Sequence, residues 1–279
     1  MSERWVFLNG NFSLESLAAI PITDRGFLYG EGIFTTIRVQ QGRCELIKGH
    51  LERLQRQAEA LHFYLPPLEL DWIQELIQRN KAWESTWRLK IIVTAGGITT
   101  RTVGNVLATL HPYQSHSSES CTLCLFPHPF ESPSSHVKSL SYLDHLYVRN
   151  YAHQRGYEDA ITRTGDGILL ETGCSNLFWI DQGACWIPDQ QLPYLKGVFL
   201  QALLPHLSLP VYFVRATIDK ISPNASVYTC NALTHVRSVT SIDQNSFSCN
   251  PQGEILLQKA TEEALKADIL IPLQTYRLG

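Results

Sequence analysis

A lysine and a glutamate in one stretch of this chain, residues 136–180, carry groups that could act together on one small molecule. Lys138 follows a loop rich in proline and serine, and Glu171 follows the turn signal Thr-Gly-Asp-Gly at residues 164–167. A lysine amine can hold an aldehyde as a Schiff base, and a carboxylate can keep a heterocyclic nitrogen protonated so that the ring accepts electrons. A pyridoxal phosphate enzyme requires these two groups.

The segment between the two residues predicts a helix over residues 141–156. Leu143, Leu146, Tyr147 and Tyr151 recur at spacings of three and four, which places them on one side of a helix. The apolar stripe of a surface helix normally faces the core of its domain.

Two hairpins are predicted around this helix. Thr-Gly and Asp-Gly tolerate the positive φ values of a tight turn, so residues 164–167 are expected to join two strands. Glu171 then lies on the return strand. A second hairpin is predicted for residues 179–186, around the Asp-Gln-Gly of residues 181–183.

This stretch resembles the fold-type IV pyridoxal phosphate enzymes, which include branched-chain aminotransferases, D-amino acid aminotransferases and aminodeoxychorismate lyases. The matching motifs are Lys-Ser-Leu-Ser-Tyr-Leu from Lys138, Tyr-Glu-Asp-Ala at residues 157–160, Asp-Gly at residues 166–167 and Glu-Thr-Gly-Cys-Ser-Asn-Leu-Phe from Glu171. The resemblance implies pyridoxal 5′-phosphate bound through Lys138, with Glu171 at its ring nitrogen.

The resemblance also implies the architecture. The fold class is expected to be α+β or α/β, a two-domain, D-amino acid aminotransferase-like structure with the cofactor at the domain interface. Its partners would be a small-molecule amine substrate and a second copy of the chain, in a homodimer whose partner supplies part of each substrate pocket.

A glycine-rich segment at residues 24–38 forms a second matching motif. Its three closely spaced glycines allow unusual backbone angles and close approach of another chain or a ligand. In the family this motif lines the cofactor pocket, and its Phe-Thr-Thr ending is closest to the aminodeoxychorismate lyases. Aminotransferases usually carry Glu where Thr35 stands. We therefore take Phe34 and Thr36 as candidate substrate contacts, and Phe34 lacks the hydroxyl with which a D-amino acid aminotransferase tyrosine binds the substrate carboxylate.

Phosphate binding is predicted first at Arg53. Residues 46–63 predict an amphipathic helix, and an arginine on such a helix is by itself a solvated surface charge. The resemblance makes Arg53, in Gly-His-Leu-Glu-Arg-Leu, a phosphate ligand, a role that suits the forked guanidinium. His50 of the same motif is interpreted as a packing residue.

Gly197 and Val198 form the second part of the predicted phosphate site. They open a helix that extends to His206, where free N–H groups can face an anion. Phe199 and Leu200 replace the Thr and Arg of the family pattern, so the side-chain contact to phosphate is lost there.

Asn231 and the N–H of Ala232 form the third part. They lie in Cys-Asn-Ala-Leu at residues 230–233, which resembles the phosphate-side loop of the aminodeoxychorismate lyases. The structural alternative is that Asn231 caps a turn.

A strand predicted at residues 87–94 precedes a further candidate site residue. Its alternation predicts that Arg88 and Lys90 face solvent. Arg101 lies in the loop beyond this strand and is a candidate ligand for a substrate carboxylate, although the loop departs from the arginine loop of related enzymes.

Composition sets the remaining expectations. A net charge of −3 and an apolar fraction of 44% are typical of a soluble globular protein, so neither nucleic acid nor a membrane is an expected partner. The seven cysteines lack metal-ligand spacing, which predicts no metal site and a reducing cytoplasm. The polar, serine-rich residues 114–120 are the predicted linker between an N-terminal domain, 1–113, and a C-terminal domain, 121–279, that carries the cofactor lysine.

The reaction class follows from what happens after Lys138 removes a proton from the amine-bearing carbon. A lyase expels a substituent from the neighbouring carbon, and 4-amino-4-deoxychorismate would yield pyruvate and 4-aminobenzoate, a step of folate biosynthesis. Phe-Thr-Thr at residues 34–36, Asn-Leu-Phe-Trp at residues 176–179 and the loop at residues 230–233 favour this lyase. The alternatives are a class IV aminotransferase acting on branched-chain or D-amino acids, and a cofactor-binding protein without activity.

Overall fold

The computed structural model describes residues 3–62, 64–66, 68, 70–97, 104–114 and 120–266. In the N-terminal part of this described chain, an antiparallel sheet has the strand order β2-β1-β6-β5-β3-β4. Its strands are β1 (Trp5–Leu8), β2 (Asn11–Leu14), β3 (Gly32–Gln40), β4 (Arg43–Cys44), β5 (Thr86–Thr94) and β6 (Val106–Pro112). The accompanying helices are α1 (Arg25–Tyr29), α2 (Ile47–Ala60) and α3 (Asp71–Arg79), with a 3-10 turn at Glu15–Leu17.

The second sheet is mixed, and its main path among the described residues runs β12-β11-β10-β13-β14-β7-β8-β9. Its strands are β7 (Ser120–Leu125), β8 (Asp159–Arg163), β9 (Leu169–Thr172), β10 (Asn176–Asp181), β11 (Ala184–Pro188), β12 (Val211–Val214), β13 (Ser226–Asn231), β14 (His235–Ile242) and β15 (Asn245–Ser246). The helices are α4 (Leu143–His153), α5 (Val198–Leu203) and α6 (Pro251–Lys266), with 3-10 turns at Leu204–His206 and Ile218–Lys220.

Both predicted hairpins are confirmed. Gly167 donates its N–H to the carbonyl of Thr164 at 3.0 Å in the turn between β8 and β9, and Glu171 lies on the return strand β9. The strands β10 and β11 pair in antiparallel register on either side of residues 182–183. The predicted amphipathic helix over residues 46–63 is α2, which ends earlier, at Ala60. The helix predicted from Gly197 to His206 is α5 followed by a 3-10 turn.

The strands separate into one sheet that ends at Pro112 and another that begins at Ser120. The division into domains at residues 113 and 121 stays a prediction in its exact bounds. No helix in the described ranges is long and apolar enough to cross a bilayer.

The prediction for the helix over residues 141–156 was right about the helix and wrong about its buried side. Val148 and Ala152 of α4 are fully buried, whereas Leu143 and Tyr147 are 75% and 60% exposed. The face with Val148 packs beside Phe126 and Ala160, and of the predicted stripe Tyr151 is part-buried against this cluster. The start of α4 therefore presents apolar side chains to the surface.

The alternation in β3 and β5 divides their side chains between two faces of the first sheet. Ile37 and Leu89 belong to the apolar core that this sheet forms with α2 and α3. The opposite face carries Phe34 and Thr36 of β3, and Lys90 of β5, which is paired with Thr36 across the strands. This opposite face turns toward the loop that carries Lys138.

Candidate active site

Lys138 is positioned by main-chain hydrogen bonds to the beginning of β3. Its carbonyl oxygen accepts the N–H of Phe34 at 2.9 Å, and the N–H of Leu140 donates to the carbonyl of Gly32 at 2.9 Å. Its own N–H donates to Oε1 of Gln57 at 3.3 Å. A loop that follows β7 is thereby fixed to the first sheet, which places Lys138 between the two sheets.

The glycine motif makes this approach possible. A Cβ at Gly32 would lie 2.6 Å from both Cδ1 of Leu140 and the carbonyl oxygen of Val93, closer than atoms can pack. Gly30 has a positive φ of 68°, and a Cβ there would lie 2.5 Å from Oγ of Ser141. In the described structure, these two glycines make room for the lysine-bearing segment.

The side chain of Lys138 is half-buried, and its ammonium lies near two aromatic rings. Its Nζ lies 4.8 Å from the ring centroid of Phe34 and 5.4 Å from that of Tyr142. Burial, assisted by the charge of Arg53, lowers the pKa of Lys138 to about 8, and Glu171 opposes this shift. The neutral amine is therefore more populated near physiological pH than it is in an ordinary lysine.

Glu171 is the acidic group of the same site. Its side chain is 5% exposed, its Oε1 accepts the N–H of Leu195 at 2.9 Å, and its Oε2 accepts Nδ2 of Asn176 at 3.4 Å. Burial raises the pKa of Glu171 to about 8, although the Leu195 hydrogen bond and Lys138 favour the charged form. A buried carboxyl of this kind is ionised when a cationic donor binds to it.

Arg53 is buried, at 6% exposure, on the face of α2 that meets β3. Its NH2 donates to Oγ1 of Thr35 at 2.8 Å, and Thr35 Oγ1 lies 2.7 Å from Nδ1 of His50. Burial and Arg56 lower the pKa of Arg53 to about 10, so it remains a cation at neutral pH. A solvated surface charge, which the helix pattern by itself suggested for Arg53, does not fit the structure, because α2 turns this side chain inward.

Gly197 precedes α5, and its N–H is already used. It donates to Oδ1 of Asn176 at 3.0 Å. As the first helical residue, Val198 has no intrahelical acceptor for its own N–H, so Val198 is the better of the two predicted anion contacts. Phe199 and Leu200, the departures from the family pattern, are buried in the core, and Phe199 stacks on His235 with ring centroids 4.9 Å apart.

Asn231 ends β13, and its side chain serves the turn that follows. Its Oδ1 accepts the N–H groups of Leu233 and Thr234 at 2.8 and 2.9 Å, and its Nδ2 donates to Oγ of Ser175 at 2.9 Å. The turn-capping alternative therefore describes this side chain. A phosphate contact in this loop stays a prediction that would have to use main-chain groups such as the N–H of Ala232.

Lys90 corrects the prediction that both cations of β5 face solvent. Arg88 is exposed, but Lys90 is half-buried, and its Nζ lies 4.5 Å from the ring centroid of Phe34. Burial lowers the pKa of Lys90, with a smaller effect from Arg88. The alternation of polar and apolar residues along β5 could not show whether the face with Lys90 contacts solvent or a second buried surface. The other candidate carboxylate ligand, Arg101, lies outside the described residues.

Sequence reasoning missed the residues that hold the others in place. Gln57, Asn176 and Leu195 contribute hydrogen bonds to Lys138, Glu171 and their neighbours. Asn176 was visible as part of a motif, but nothing in its spacing showed that it would contact both Glu171 and the peptide of Gly197. Its Nδ2 also donates to the carbonyl of Leu195 at 2.7 Å.

A comparison with protein families identifies this arrangement. The family described as Amino-transferase class IV matches residues 32–242, a range that contains Phe34, Arg53, Lys138 and Glu171. The chain belongs to the class IV aminotransferase family. The predicted family and fold are thus confirmed for this class IV protein.

Similarity within the family extends over most of this class IV chain. Aminodeoxychorismate lyase of Bacillus subtilis is 23% identical over 258 residues, which cover 87% of this chain and 88% of the relative. D-alanine aminotransferase of Staphylococcus epidermidis is 24% identical over 277 residues, with 91% and 94% covered. The branched-chain aminotransferase from Thermoproteus uzoniensis, solved with norvaline, superposes with a TM-score of 0.85 at 18% identity and covers 95% of this chain and 96% of its own.

Proposed function

We propose that this class IV enzyme is a lyase that converts 4-amino-4-deoxychorismate to 4-aminobenzoate and pyruvate. The observation that carries the proposal is the apolar ring of Phe34, which lies 4.8 Å from the Nζ of Lys138, the amine with the lowered pKa. Phe34 offers no hydroxyl for a substrate carboxylate, which argues against the D-amino acid reaction.

The residues of the site fit pyridoxal 5′-phosphate. Nε of Arg53 is a buried donor without a partner among the described residues, as a phosphate ligand would be in the absence of its anion. Glu171 is a buried carboxyl that a protonated ring nitrogen would satisfy. Pyridoxal 5′-phosphate is the cofactor, and when bound it supplies an aldehyde carbon for an amine and a ring that accepts electrons.

Each residue then has a defined role. Lys138 holds the cofactor and afterwards, as a neutral amine, takes the proton from the amine-bearing carbon of the substrate. Glu171, oriented by the N–H of Leu195, accepts a hydrogen bond from the ring nitrogen and favours its protonated form. Arg53, Val198 and the loop at residues 231–232 bind the phosphate, with Gly197 contributing through its position rather than its N–H.

Lys90 suits a substrate with two carboxylates. It places a second cation beside Phe34, on the face where Thr36 also lies. Aminodeoxychorismate carries two carboxylates, and so does the 2-oxoglutarate of an aminotransferase, so Lys90 fits both reactions. Thr35, at the position where aminotransferases of the family usually have Glu or a similar residue, favours the lyase.

A class IV aminotransferase acting on branched-chain or D-amino acids is the second candidate. The D-alanine aminotransferase of Staphylococcus epidermidis is 24% identical over 91% of the chain, against 23% over 87% for the lyase, and this similarity supports the alternative. Both activities begin with the same proton removal by Lys138, so the difference lies in the later fate of the substrate.

Paired assays distinguish the candidates. Purified protein offered 4-amino-4-deoxychorismate is expected to release 4-aminobenzoate and pyruvate without an added keto acid. A parallel assay offers branched-chain and D-amino acids with 2-oxoglutarate. Glutamate formation without any 4-aminobenzoate would replace the lyase by the aminotransferase. A protein inactive in both assays that still binds the cofactor would be a binding protein.

Cofactor attachment has a separate test. The wild-type protein is expected to show a visible absorbance band that sodium borohydride shifts, and Lys138→Ala is expected to lack it. A wild-type protein saturated with pyridoxal 5′-phosphate that shows no such band would refute the role of Lys138.

We also propose that the protein is a homodimer. Six apolar side chains on α1 and the beginning of α4 are between 42% and 75% exposed, and we refer to them as the α1–α4 patch: Phe27, Leu28, Tyr29, Leu143, Leu146 and Tyr147. The two segments meet where Oγ of Ser141 donates to the carbonyl of Gly30 at 3.4 Å. An exposed apolar patch beside the site is typical of a surface that another copy covers.

A further inference from the structure

Three side chains of the site form a buried chain of hydrogen bonds. Thr35 is fully buried, and His50 and Arg53 are 1% and 6% exposed. Oγ1 of Thr35 lies 2.8 Å from NH2 of Arg53 and 2.7 Å from Nδ1 of His50. A guanidinium only donates, so the Thr35 oxygen accepts from Arg53. Among the described residues, Nδ1 of His50 is the acceptor within reach of the Thr35 hydroxyl hydrogen.

This chain fixes the tautomer of His50. Burial, with the charges of Arg53 and Lys138, holds the pKa of His50 well below its ordinary value, so the ring is neutral. If Nδ1 accepts from Thr35, the ring hydrogen is on Nε2. Nε2 of His50 is buried without a partner in the described structure, as is Nε of Arg53. The buried donors His50 Nε2 and Arg53 Nε, whose side chains both hydrogen-bond to Thr35, therefore lack an acceptor. An unsatisfied buried donor costs folding free energy unless a ligand provides the acceptor.

The ligand must be an anion. Within the described ranges Arg53 forms no salt bridge, and its side-chain partner Thr35 is neutral, so the buried positive charge has no counterion. The same turn of α2 lies against the start of α5, because a Cβ at Gly49 would be 3.0 Å from Cγ1 of Val198. The turn of α2 that carries His50 and Arg53 is thus in contact with Val198, the first residue of α5.

We propose that Thr35 is a positioning residue that holds His50 and Arg53 as one anion site, and that Nε2 of His50 donates to the same cofactor phosphate as Arg53. The proposal rests on the proposed function only in taking pyridoxal 5′-phosphate as the ligand. It replaces the interpretation of His50 as a packing residue, and it gives Thr35 a role in cofactor affinity.

The test compares two ligands that differ by the phosphate. Pyridoxal 5′-phosphate and pyridoxal are titrated separately into the full-length protein freed of cofactor, and binding is followed by absorbance. Thr35→Val and His50→Leu are expected to weaken pyridoxal 5′-phosphate binding by about 10- to 100-fold, the cost of a lost hydrogen bond to a charged group. Pyridoxal binding is expected to change little, and Thr35→Ser is expected to restore the phosphate preference to within about threefold.

Thr86→Val is the matched control, because Thr86 also donates a side-chain hydrogen bond in this sheet, a part-buried one to Oε1 of Gln40 at 2.6 Å, but lies at the far end of β3 and β5. It should leave the ratio of the two affinities unchanged. If Thr35→Val and His50→Leu also leave that ratio unchanged, the inference is overturned while the cofactor assignment stands. If Thr35→Val does not fold, His50→Leu alone decides. A wild-type protein that binds neither ligand would overturn the cofactor assignment and the inference together.

Discussion

The backbone N–H of Phe34 donates a 2.9 Å hydrogen bond to the carbonyl oxygen of Lys138. An isolated bridge between Ile33 and Ser139 continues the same contact. The first sheet is therefore joined by main-chain pairing to the loop that carries the reactive amine. Because the pairing is between main chains, the side chains of Phe34 and Lys138 are brought together independently of any ligand.

Gly32→Ala tests this pairing. The new Cβ would contact the Val93 carbonyl at 2.6 Å, so main chain has to shift, and we expect a loss of about 1–3 kcal/mol in the free energy of unfolding with weakened cofactor binding. Urea denaturation and cofactor titration measure the two effects. Gly165→Ala is the control, since its nearest contact, Oε1 of Glu131, is 3.9 Å away. Equal stability of the two variants would contradict the prediction.

The pKa of Lys138 predicts how cofactor capture depends on pH. Only the neutral amine attacks an aldehyde, and the buried amine has its pKa lowered to about 8. The rate at which cofactor-free protein captures pyridoxal 5′-phosphate should rise about tenfold per pH unit below pH 8 and level off above it. Stopped-flow absorbance measures this rate. A midpoint near 10.5, the ordinary lysine value, would show that burial does not act on this amine.

Glu171 predicts a pH dependence of stability in the cofactor-free protein. Its folded pKa is raised from 4.5 to about 8, so between these values the folded state binds a proton that the unfolded state does not. Stability from this group is complete below pH 4.5 and is lost as pH rises through 8. Relative to Glu171→Gln, the free energy of unfolding of the wild type should fall by about 3–4 kcal/mol between pH 5 and pH 8. A constant difference across this range would refute the raised pKa.

Lys90→Gln tests whether Lys90 contacts a substrate carboxylate. If Lys90 contacts a substrate carboxylate, the KM for aminodeoxychorismate should rise about tenfold while kcat changes little, the loss expected for one charge-assisted contact. Binding of 4-aminobenzoate by calorimetry should weaken as well, whereas 4-aminobenzamide should be unaffected. Lys259→Gln, at an exposed lysine on α6, is the control. An unchanged KM would place the carboxylate elsewhere.

Leu143→Asp tests the α1–α4 patch. A carboxylate at this 75% exposed position should not unfold a monomer but should disfavour a dimer in which the patch is covered. Sedimentation velocity is expected to show a dimer for the wild type and a monomer for the variant. Ile255→Asp, at a 55% exposed residue on α6, should leave the assembly unchanged. A wild-type monomer would contradict the proposal.

Local sequence signals determined much of the fold. The Asp-Gly turn placed Glu171 on a return strand, and the apolar periodicity of residues 46–63 located α2, because turn chemistry and helix spacing depend on neighbouring residues. The motifs around Lys138 and Arg53 identified the family. These features need no knowledge of the rest of the chain.

Tertiary structure decided which side of each helix or strand is buried. The stripe from Leu143 to Tyr151 has a core-facing spacing, yet Leu143 and Tyr147 are exposed and Val148 is buried, because β8 and Phe126 lie beside Val148. Lys90 alternates like a solvent-facing residue, but its side of the sheet meets Phe34 and the Lys138 loop. Spacing tells which residues share a face, and only the packed neighbours decide what that face contacts.

The sequence by itself determined that an amine and a carboxyl are present in motifs that suit a cofactor. The tertiary structure decided their chemistry, since burial lowers the pKa of Lys138 and raises that of Glu171. It also showed that Thr35 hydrogen-bonds to both His50 and Arg53, and that all three side chains are buried. The physical reason is that desolvation and hydrogen bonding between residues distant in the chain depend on positions in space, which local sequence does not encode.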